Sequence, residues 1–379
     1  MKKFIVKIFV ILFFLSSNSF AVVKPIFKQK LSLNGIINSP SEVSLSPDGK
    51  KIFFTVFATN KFEQYTLTVP FDISSLDTST KIEFDLNAGS DDVVLAQGHA
   101  FNSDGTKFFV VSKTESATQL NAHSLSRPYD LSSDISQIAD DGIAWVTAFS
   151  AGDGAVHAQD ITFNNDGTKM YLFDAGHNTQ GDGGVVEYDL SVPYDTSTAS
   201  FVNELVTSDA LSLFEQDVEF DDDGTRMYII DSHTGNNANA KIAVYKLSTP
   251  FHTSTATFVG SIANFFDASG ATGTPLGLGF SSDGMKLYQV TYHNTGAGER
   301  DALYEYDLTC PYGIVICETD VVTAIGAQVE IAKNVIHQNS STIFKRFDWL
   351  RRNDERANLT NHEVKLNIHN PILAALKTN

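Results

Sequence analysis

Three histidines follow the same turn signal at nearly the same distance along the chain. Each stands ten or eleven residues after the aspartate of an Asp-Gly pair, and they are His177, His233 and His293. Asp174 and Asp231 begin two of the segments that carry them. Imidazole and carboxylate groups ligate metal ions and form hydrogen bonds with amines and hydroxyls. The spacing therefore predicts a polar, acidic site where these segments meet.

A second set of polar residues precedes the same turns. Glu42, Asp160 and Asp217 stand six residues before the turn aspartate, whereas Gly98 and Gly277 hold this position in the other two copies. Nearby residues that could join them are His99, His157, Gln159 and Gln216. We predict that this site binds an extracellular small molecule, glycan or protein, and that a divalent cation is compatible with it as a cofactor. The alternative is that these side chains only bond to loop backbone.

These residues belong to a repeat in which two motifs stay in phase. The first motif reads LSPDGKKIFF, FNSDGTKFFV, FNNDGTKMYL, FDDDGTRMYI and FSSDGMKLYQ, with glycines at Gly49, Gly105, Gly167, Gly224 and Gly284. The second motif has prolines at Pro70, Pro128, Pro193, Pro250 and Pro311. Two motifs that recur together at a period of roughly 60 residues indicate a repeat architecture.

Each repeat predicts four strands. Asp-Gly between two apolar runs predicts a tight hairpin, GVVEYDLS alternates as a half-buried strand does, and the proline motif predicts the next turn. Four antiparallel strands repeated radially form a propeller blade. We therefore predict an all-β fold, a five-bladed β-propeller of four-stranded blades over residues 22–313, which the N-terminal strand in 24–33 closes. An open or six-bladed ring is the alternative.

The two predicted sets of polar residues lie on one face of this propeller. Strands of a blade run alternately up and down, so the Asp-Gly hairpins and the proline turns share the other face. An enzyme is the alternative function, namely an exported hydrolase or lyase with a His/Asp site at this mouth of the channel. No G-x-S-x-G, H-E-x-x-H or phosphate-loop motif occurs in the sequence, and nothing in it identifies a nucleophile or a general base.

The repeats resemble those of bacterial exported propellers with an F-S-x-D-G-x-K-x-Y core, which are distantly similar to WD-repeat blades. The resemblance covers about residues 24–313. It implies the fold and says little about function, because propellers host many activities.

The two ends of the chain predict export. Residues 1–21 have a basic start, a short apolar run and small residues at Ser19 and Ala21, as in a secretory signal peptide. We therefore expect a periplasmic, extracellular or outer-membrane surface location. Cys310 and Cys317 could then form a disulfide, although spacing alone does not establish that they do.

Residues 314–379 predict a helical extension, because apolar residues recur there at helical spacing. The segments IFKRFDWLRRN and VKLNIHNPILAAL resemble the passenger–translocator junction of autotransporters, which implies a tail that associates with an outer-membrane barrel. The sequence departs from that family because no barrel strands follow residue 353. A helical appendage on the propeller, or a self-association helix, is the alternative.

The charge of the chain excludes one class of partner. The sequence has 27 Lys and Arg against 45 Asp and Glu, and its net charge is −18. The excess of acidic residues lies in the predicted propeller. Such a surface repels phosphate backbones, so we expect no nucleic acid partner. We also expect that the mature domain does not span a membrane, since no later stretch is apolar enough.

Overall fold

The structure of the 379-residue chain is a computed structural model. It describes residues 22–87, 95–113, 118–141, 158–174, 183–207, 215–232, 240–263, 274–292 and 301–317. The predicted signal peptide, the predicted tail beyond residue 317 and four of the predicted site histidines (His157, His177, His233 and His293) lie outside the described residues. No helix in the described part of the chain is long and apolar enough to cross a membrane.

The described residues form five antiparallel sheets of four strands each, so the predicted all-β fold with five four-stranded blades is confirmed. Blade 1 comprises β2 (Pro40–Leu45), β3 (Lys51–Val56), β4 (Lys61–Leu67) and β5 (Leu76–Asp85). Blade 2 comprises β6 (Ala96–Phe101), β7 (Lys107–Lys113), β8 (Thr118–Leu125) and β9 (Ile135–Asp141). Blade 3 comprises β10 (Ala158–Phe163), β11 (Lys169–Asp174), β12 (Gly184–Leu190) and β13 (Ala199–Val206). Blade 4 comprises β14 (Glu215–Phe220), β15 (Arg226–Asp231), β16 (Lys241–Leu247) and β17 (Ala256–Ala263).

Blade 5 combines strands from both ends of the propeller. It comprises β18 (Thr274–Phe280), β19 (Lys286–Tyr292), β20 (Ala302–Asp307) and β1 (Ile26–Ser32). Strand β1 is antiparallel to β20, with Ile26 opposite Asp307 and Ser32 opposite Ala302. A disulfide joins Cys310 to Cys317 just beyond β20.

The two sequence motifs stay in phase because they pack on each other. Gly167 has a φ of +70°, which the tight turn requires, and a Cβ at this position would overlap the ring of Tyr194. Tyr194 itself has a positive φ of 55° and donates its backbone N–H to the Gly167 carbonyl at 3.0 Å. The other blades repeat this contact as the pairs Gly49–Phe71, Gly105–Tyr129, Gly224–Phe251 and Gly284–Tyr312.

The carbonyl of this aromatic residue also links each blade to its neighbour. In three blades the donor is a tyrosine hydroxyl of the preceding blade: Tyr171 to Phe251, Tyr228 to Tyr312 and Tyr288 to Phe71, at 2.5 to 2.8 Å. In the other two the donor is a lysine ammonium: Lys51 to Tyr129 at 2.8 Å and Lys107 to Tyr194 at 3.4 Å. The bond from Tyr288 to Phe71 joins blade 5 to blade 1, so the series runs around the whole ring.

Apolar side chains fill the spaces between blades. Tyr228 and Ile230 of blade 4, for example, pack with Leu278 and Leu287 of blade 5 in one buried cluster. Because the core is interblade, each sheet is stabilised mainly through its neighbours. The first strands of the blades are left around the axis, where they contact one another in a ring.

Candidate functional site

Three predicted site residues meet on the propeller axis. One carboxylate oxygen from each of Glu42, Asp160 and Asp217 lies within 4.8 Å of the other two. They come from β2, β10 and β14, the first strands of blades 1, 3 and 4. All three residues are buried, and Asp217 is only 1% exposed. We call this group the axial carboxylate cluster.

Two glycines make room for the axial carboxylate cluster. Gly98 and Gly277 hold the equivalent position in blades 2 and 5. A Cβ at Gly277 would lie 2.8 Å from Glu42 Oε1, and a Cβ at Gly98 would overlap Asp160. Side chains at all five positions would therefore not fit around the axis, and glycine at two of the five positions is a packing requirement.

Backbone N–H groups of the first strands donate to the cluster. Val43 donates to Glu42 Oε1 at 2.7 Å, and Val218 of the neighbouring blade donates to Asp160 Oδ2 at 3.2 Å. Leu278 of blade 5 donates to Asp217 Oδ2. The second oxygen of Asp217, Oδ1, is buried and accepts no hydrogen bond from an N–H group or a hydroxyl of the described residues. A buried acceptor without a donor is uncommon, because it has lost its water without compensation.

The cluster differs from three other buried carboxylates in having no Lys or Arg partner among the described residues. Glu63 pairs with Lys81 at 2.8 Å, Glu187 with Lys169 at 2.6 Å and Glu305 with Lys286 at 2.7 Å. Among the residues that the structure describes, no Lys or Arg forms an ion pair with Glu42, Asp160 or Asp217. When the carboxyls of the cluster are ionised, no described Lys or Arg neutralises their negative charge.

Burial and mutual repulsion shift the protonation of the cluster. Burial raises the pKa of Asp160 to about 6. Burial, followed by repulsion from Asp160, raises the pKa of Glu42 well above its usual value. Burial, followed by repulsion from Glu42 and Asp160, does the same to the pKa of Asp217. Without a bound cation, these carboxyls therefore hold protons at a pH where surface carboxylates are ionised.

A cavity of about 310 Å³ lies in the same channel, toward the hairpin face. The first-strand positions two residues beyond the cluster line it: Ser44, Ala100, Thr162, Glu219 and Gly279. Its outer part is lined by residues of the Asp-Gly hairpins and by Tyr129, Tyr194 and Tyr312. Because side chains two residues apart in a strand share a face, the cavity and the cluster occupy successive levels of one channel.

His99 is buried between blades 1 and 2, away from the carboxylate cluster. Its Nε2 lies 2.6 Å from Ser44 Oγ and its Nδ1 lies 2.8 Å from Thr55 Oγ1. Its ring also packs on Phe62, with centroids 4.7 Å apart. Burial lowers the pKa of His99 to about 3, so the imidazole is neutral at physiological pH. The packing shows His99 as an interblade residue.

The other described candidates are not members of the three-carboxylate group. Asp231 is fully buried at the end of β15 and pairs with Lys241 at 3.7 Å. Gln159 and Gln216 are half-buried beside Asp160 and Asp217 in the sequence. The backbone of Asp174 ends β11, while its side chain lies outside the described residues.

Sequence reasoning missed the second level of the channel. Glu219 and Ser44 stand two residues beyond Asp217 and Glu42, and the period of two in a strand was the signal that could have found them. The same period places His99 on the other face of its strand from Gly98 and Ala100, although it also borders the cavity beside Ser44. At its position the other blades have Val43, Ile161, Val218 and Leu278, which face the apolar interblade spaces.

Comparison with known proteins yields similarity of structure alone. No family model matches the sequence, and no curated protein matches it either. A putative 6-phosphogluconolactonase from Bacteroides uniformis ATCC 8492 is 14% identical with a TM-score of 0.39, over 69% of each chain. The periplasmic gluconolactonase of Pseudomonas aeruginosa is 12% identical with a TM-score of 0.39, over 69% of this chain and 70% of that one. The PQQ-bound aldose sugar dehydrogenase of Streptomyces coelicolor is 11% identical with a TM-score of 0.39, over 75% and 99%. Values this low carry no inference about activity.

Proposed function

We propose that this protein is an exported binding module that holds a divalent cation in its axial carboxylate cluster. The observation that carries the proposal is Asp217 Oδ1. This buried oxygen accepts no hydrogen bond from an N–H group or hydroxyl of the described residues, and it belongs to a group of three carboxylates with no Lys or Arg partner among them. A bound cation would supply both the missing partner and the missing charge. The signal-like residues 1–21 are the reason to place the module outside the cytoplasm.

The donor set favours a hard divalent cation. Glu42, Asp160 and Asp217 offer only oxygen, which suits Ca²⁺, Mg²⁺ and Mn²⁺ better than softer metals. Opposite ligands of Ca²⁺ stand about 4.6–5.2 Å apart, which is twice the Ca–O distance, whereas those of Mg²⁺ stand about 4.0–4.2 Å apart. The three oxygens lie within 4.8 Å of one another, so they are close enough together for either ion, and Ca²⁺ is the cation with which the site is tested.

The alternative, an exported hydrolase or lyase, has less support from the described residues. Such an enzyme needs a general base whose pKa lies near the working pH. Asp160 has a pKa of about 6 but is buried within the axial carboxylate cluster, and the pKa of His99 is about 3, so this imidazole would accept a proton poorly. The other predicted site histidines lie outside the described residues.

Calcium binding is tested by calorimetry and thermal denaturation of the full chain after treatment with a chelating resin. Stabilisation at a concentration 100 times the Kd is about 2.7 kcal/mol, so we expect CaCl₂ to raise Tm by about 5–10 °C and KCl to have no such effect. The effect should be lost in Asp217→Asn, which preserves the shape of the side chain. Asp231→Asn is the matched control, because Asp231 is a buried acid of the same blade outside the cluster. Absence of calorimetric binding and of a Tm shift in the wild type would refute the proposal.

The pH dependence of stability offers a separate prediction for the metal-depleted protein. Asp160, Glu42 and Asp217 have a pKa above the usual value in the folded state, so the folded state binds more protons than the unfolded state between about pH 4 and pH 6. Stability should therefore fall as pH rises through the folded pKa of about 6 for Asp160. We expect Tm to be about 5–10 °C lower at pH 7 than at pH 5, and saturating CaCl₂ should remove most of the difference. A metal-depleted protein whose Tm is the same at both pH values would contradict this.

A further inference from the structure

We infer that the channel cavity on the hairpin side of the axial carboxylate cluster is a second binding site, which takes a small organic ammonium ion anchored by Glu219. The inference goes beyond the proposed calcium site, because it concerns another level of the channel and another class of ligand. It rests on the shape of the cavity, on its charge and on the mixture of groups that line it.

The cavity has space for a small molecule and one acidic side chain within it. Its volume of about 310 Å³ is at the lower end of the usual range for ligand pockets. Four of the five inner positions carry small residues, namely Ser44, Ala100, Thr162 and Gly279. Glu219 is the charged residue of this inner ring. Of the five inner positions around the cavity, four therefore leave space for a ligand and the fifth provides a carboxylate.

The charge around the cavity favours a cation. Asp222 at the rim is the second carboxylate, and no Lys or Arg is among the described residues that line the cavity. In the described part of the chain, Glu219 has no ion pair. The axial carboxylate cluster lies two residues away along the strand, or roughly 7 Å. All these groups are acids, so those that are ionised stabilise a cation in the channel and none of them stabilises an anion.

The remaining lining selects an organic ammonium ion over a second metal ion. A divalent metal needs six or more oxygen ligands or retained waters, whereas an ammonium group needs a carboxylate and a few hydroxyl acceptors. Glu219, Ser44 and Thr162 provide these at the inner ring. Farther out, aromatic rings line the cavity, including Phe163, Phe220 and Phe280. Such rings bury alkyl groups and also attract cations to their faces.

The rim is held in place by contacts between neighbouring hairpins. Tyr312 donates its hydroxyl to Asp222 Oδ1, and Asn165 donates its amide to the Asp222 carbonyl. Ser282 donates its hydroxyl to the Pro47 carbonyl at 2.8 Å. Because these bonds join blades 3, 4, 5 and 1, the cavity is preformed and a ligand need not order its mouth.

The inference is tested by calorimetric titration of the full chain with butylamine, 1-butanol and butyrate. These probes share an alkyl chain and differ in charge. We expect butylamine to bind about 10–100-fold more tightly than the other two, which is the usual effect of a hydrogen bond to a charged group. Glu219→Gln should weaken butylamine binding by a similar factor. Asp104→Asn is the matched control, since Asp104 is a hairpin acid outside the cavity lining and should leave binding unchanged.

The outcomes separate this inference from the proposed calcium site. Equal affinity for butylamine and 1-butanol would overturn it, and so would wild-type affinity in Glu219→Gln. Displacement of butylamine by stoichiometric calcium would also overturn it, because the two ligands would then share one site. Asp217→Asn should lose calcium binding and retain butylamine binding. If the wild type binds no calcium but binds butylamine through Glu219, the proposed function fails and the second site stands.

Discussion

Replacing Lys169 with methionine is expected to lower the free energy of unfolding by about 3–5 kcal/mol. The Lys169 ammonium lies 2.6 Å from Glu187 Oε1 and 2.6 Å from Asp189 Oδ1. The Glu187 side chain is fully buried, and that of Lys169 is 12% exposed. Removing the ammonium leaves a carboxylate in the protein interior with no Lys or Arg paired with it, and only the His252 ring, with Nδ1 at 3.5 Å from Glu187 Oε1, remains as an ion-pair partner among the described residues. This loss is what makes the substitution costly.

Glu187 cannot move away to recover its hydration. Its Oε2 accepts hydrogen bonds from the backbone N–H and the hydroxyl of Thr253, both at 2.8 Å. Thr253 begins a short 3-10 turn in blade 4, Thr253–Thr255, so the carboxylate links two blades. The loss of Lys169 should therefore weaken the contact between blades 3 and 4 as well as blade 3 itself.

The measurement is chemical denaturation of Lys169→Met beside a matched surface variant. Lys50→Met removes an ion pair with Asp48 whose side chains are 64% and 59% exposed, and this should cost less than about 1 kcal/mol. Adding Glu187→Gln to Lys169→Met should recover part of the loss, because the charge without a counter-ion is then gone. Equal denaturation midpoints for Lys169→Met and Lys50→Met would contradict the prediction.

This ion pair can be compared with the axial carboxylate cluster in the channel. The chain supplies an ammonium to Glu63, Glu187 and Glu305, which are buried acids on third strands of three blades. On the first strands, Glu42, Asp160 and Asp217 converge without one in the described chain. The fold can evidently neutralise a buried carboxylate where only structure is needed. The axial carboxylates have no such partner in the described chain, and this difference favours a bound ligand at the axis.

The sequence was sufficient for the fold because the signals for the turns are local. Gly167 and Tyr194 lie within one repeat, and their contact recurs five times, so the period and the strand pairing could both be inferred. The convergence of Glu42, Asp160 and Asp217 was only partly predictable. Their shared position relative to the turns was visible, whereas their separation depends on how five blades meet around an axis.

The identity of the cluster members was harder to predict than their position. Asp231 follows Asp217 closely in the chain, yet it pairs with Lys241 across β15 and β16 and so is used within its own blade. His99 has the residue type of a ligand, but burial and the hydroxyls of Ser44 and Thr55 account for it. The type of a residue indicates which ligands it could bind. The face of the strand on which its side chain lies decides whether it reaches the channel.

Gly167→Ala is expected to destabilise the propeller by about 2–4 kcal/mol, more than a loss of backbone freedom alone explains. Gly167 has a φ of +70°, which costs a residue with a Cβ about 1–2 kcal/mol. The Cβ would also overlap the ring of Tyr194, whose backbone N–H is bonded to the Gly167 carbonyl. The ring can therefore shift only by disturbing the turn that follows β12.

Gly35→Ala isolates the backbone part of this effect. Gly35 has a similar φ of +75°, and nothing lies within 4 Å of the Cβ that alanine would add. Its substitution should cost only about 1–2 kcal/mol, the strain of a positive φ. If the overlap with the Tyr194 ring causes the rest of the loss, Gly167→Ala should lower the free energy of unfolding by less in a Tyr194→Ala background than in the wild type. A double-mutant cycle measured by denaturation reports this coupling. Equal losses for Gly167→Ala and Gly35→Ala, with no coupling to Tyr194, would mean that the two repeated motifs keep step for a reason other than this contact.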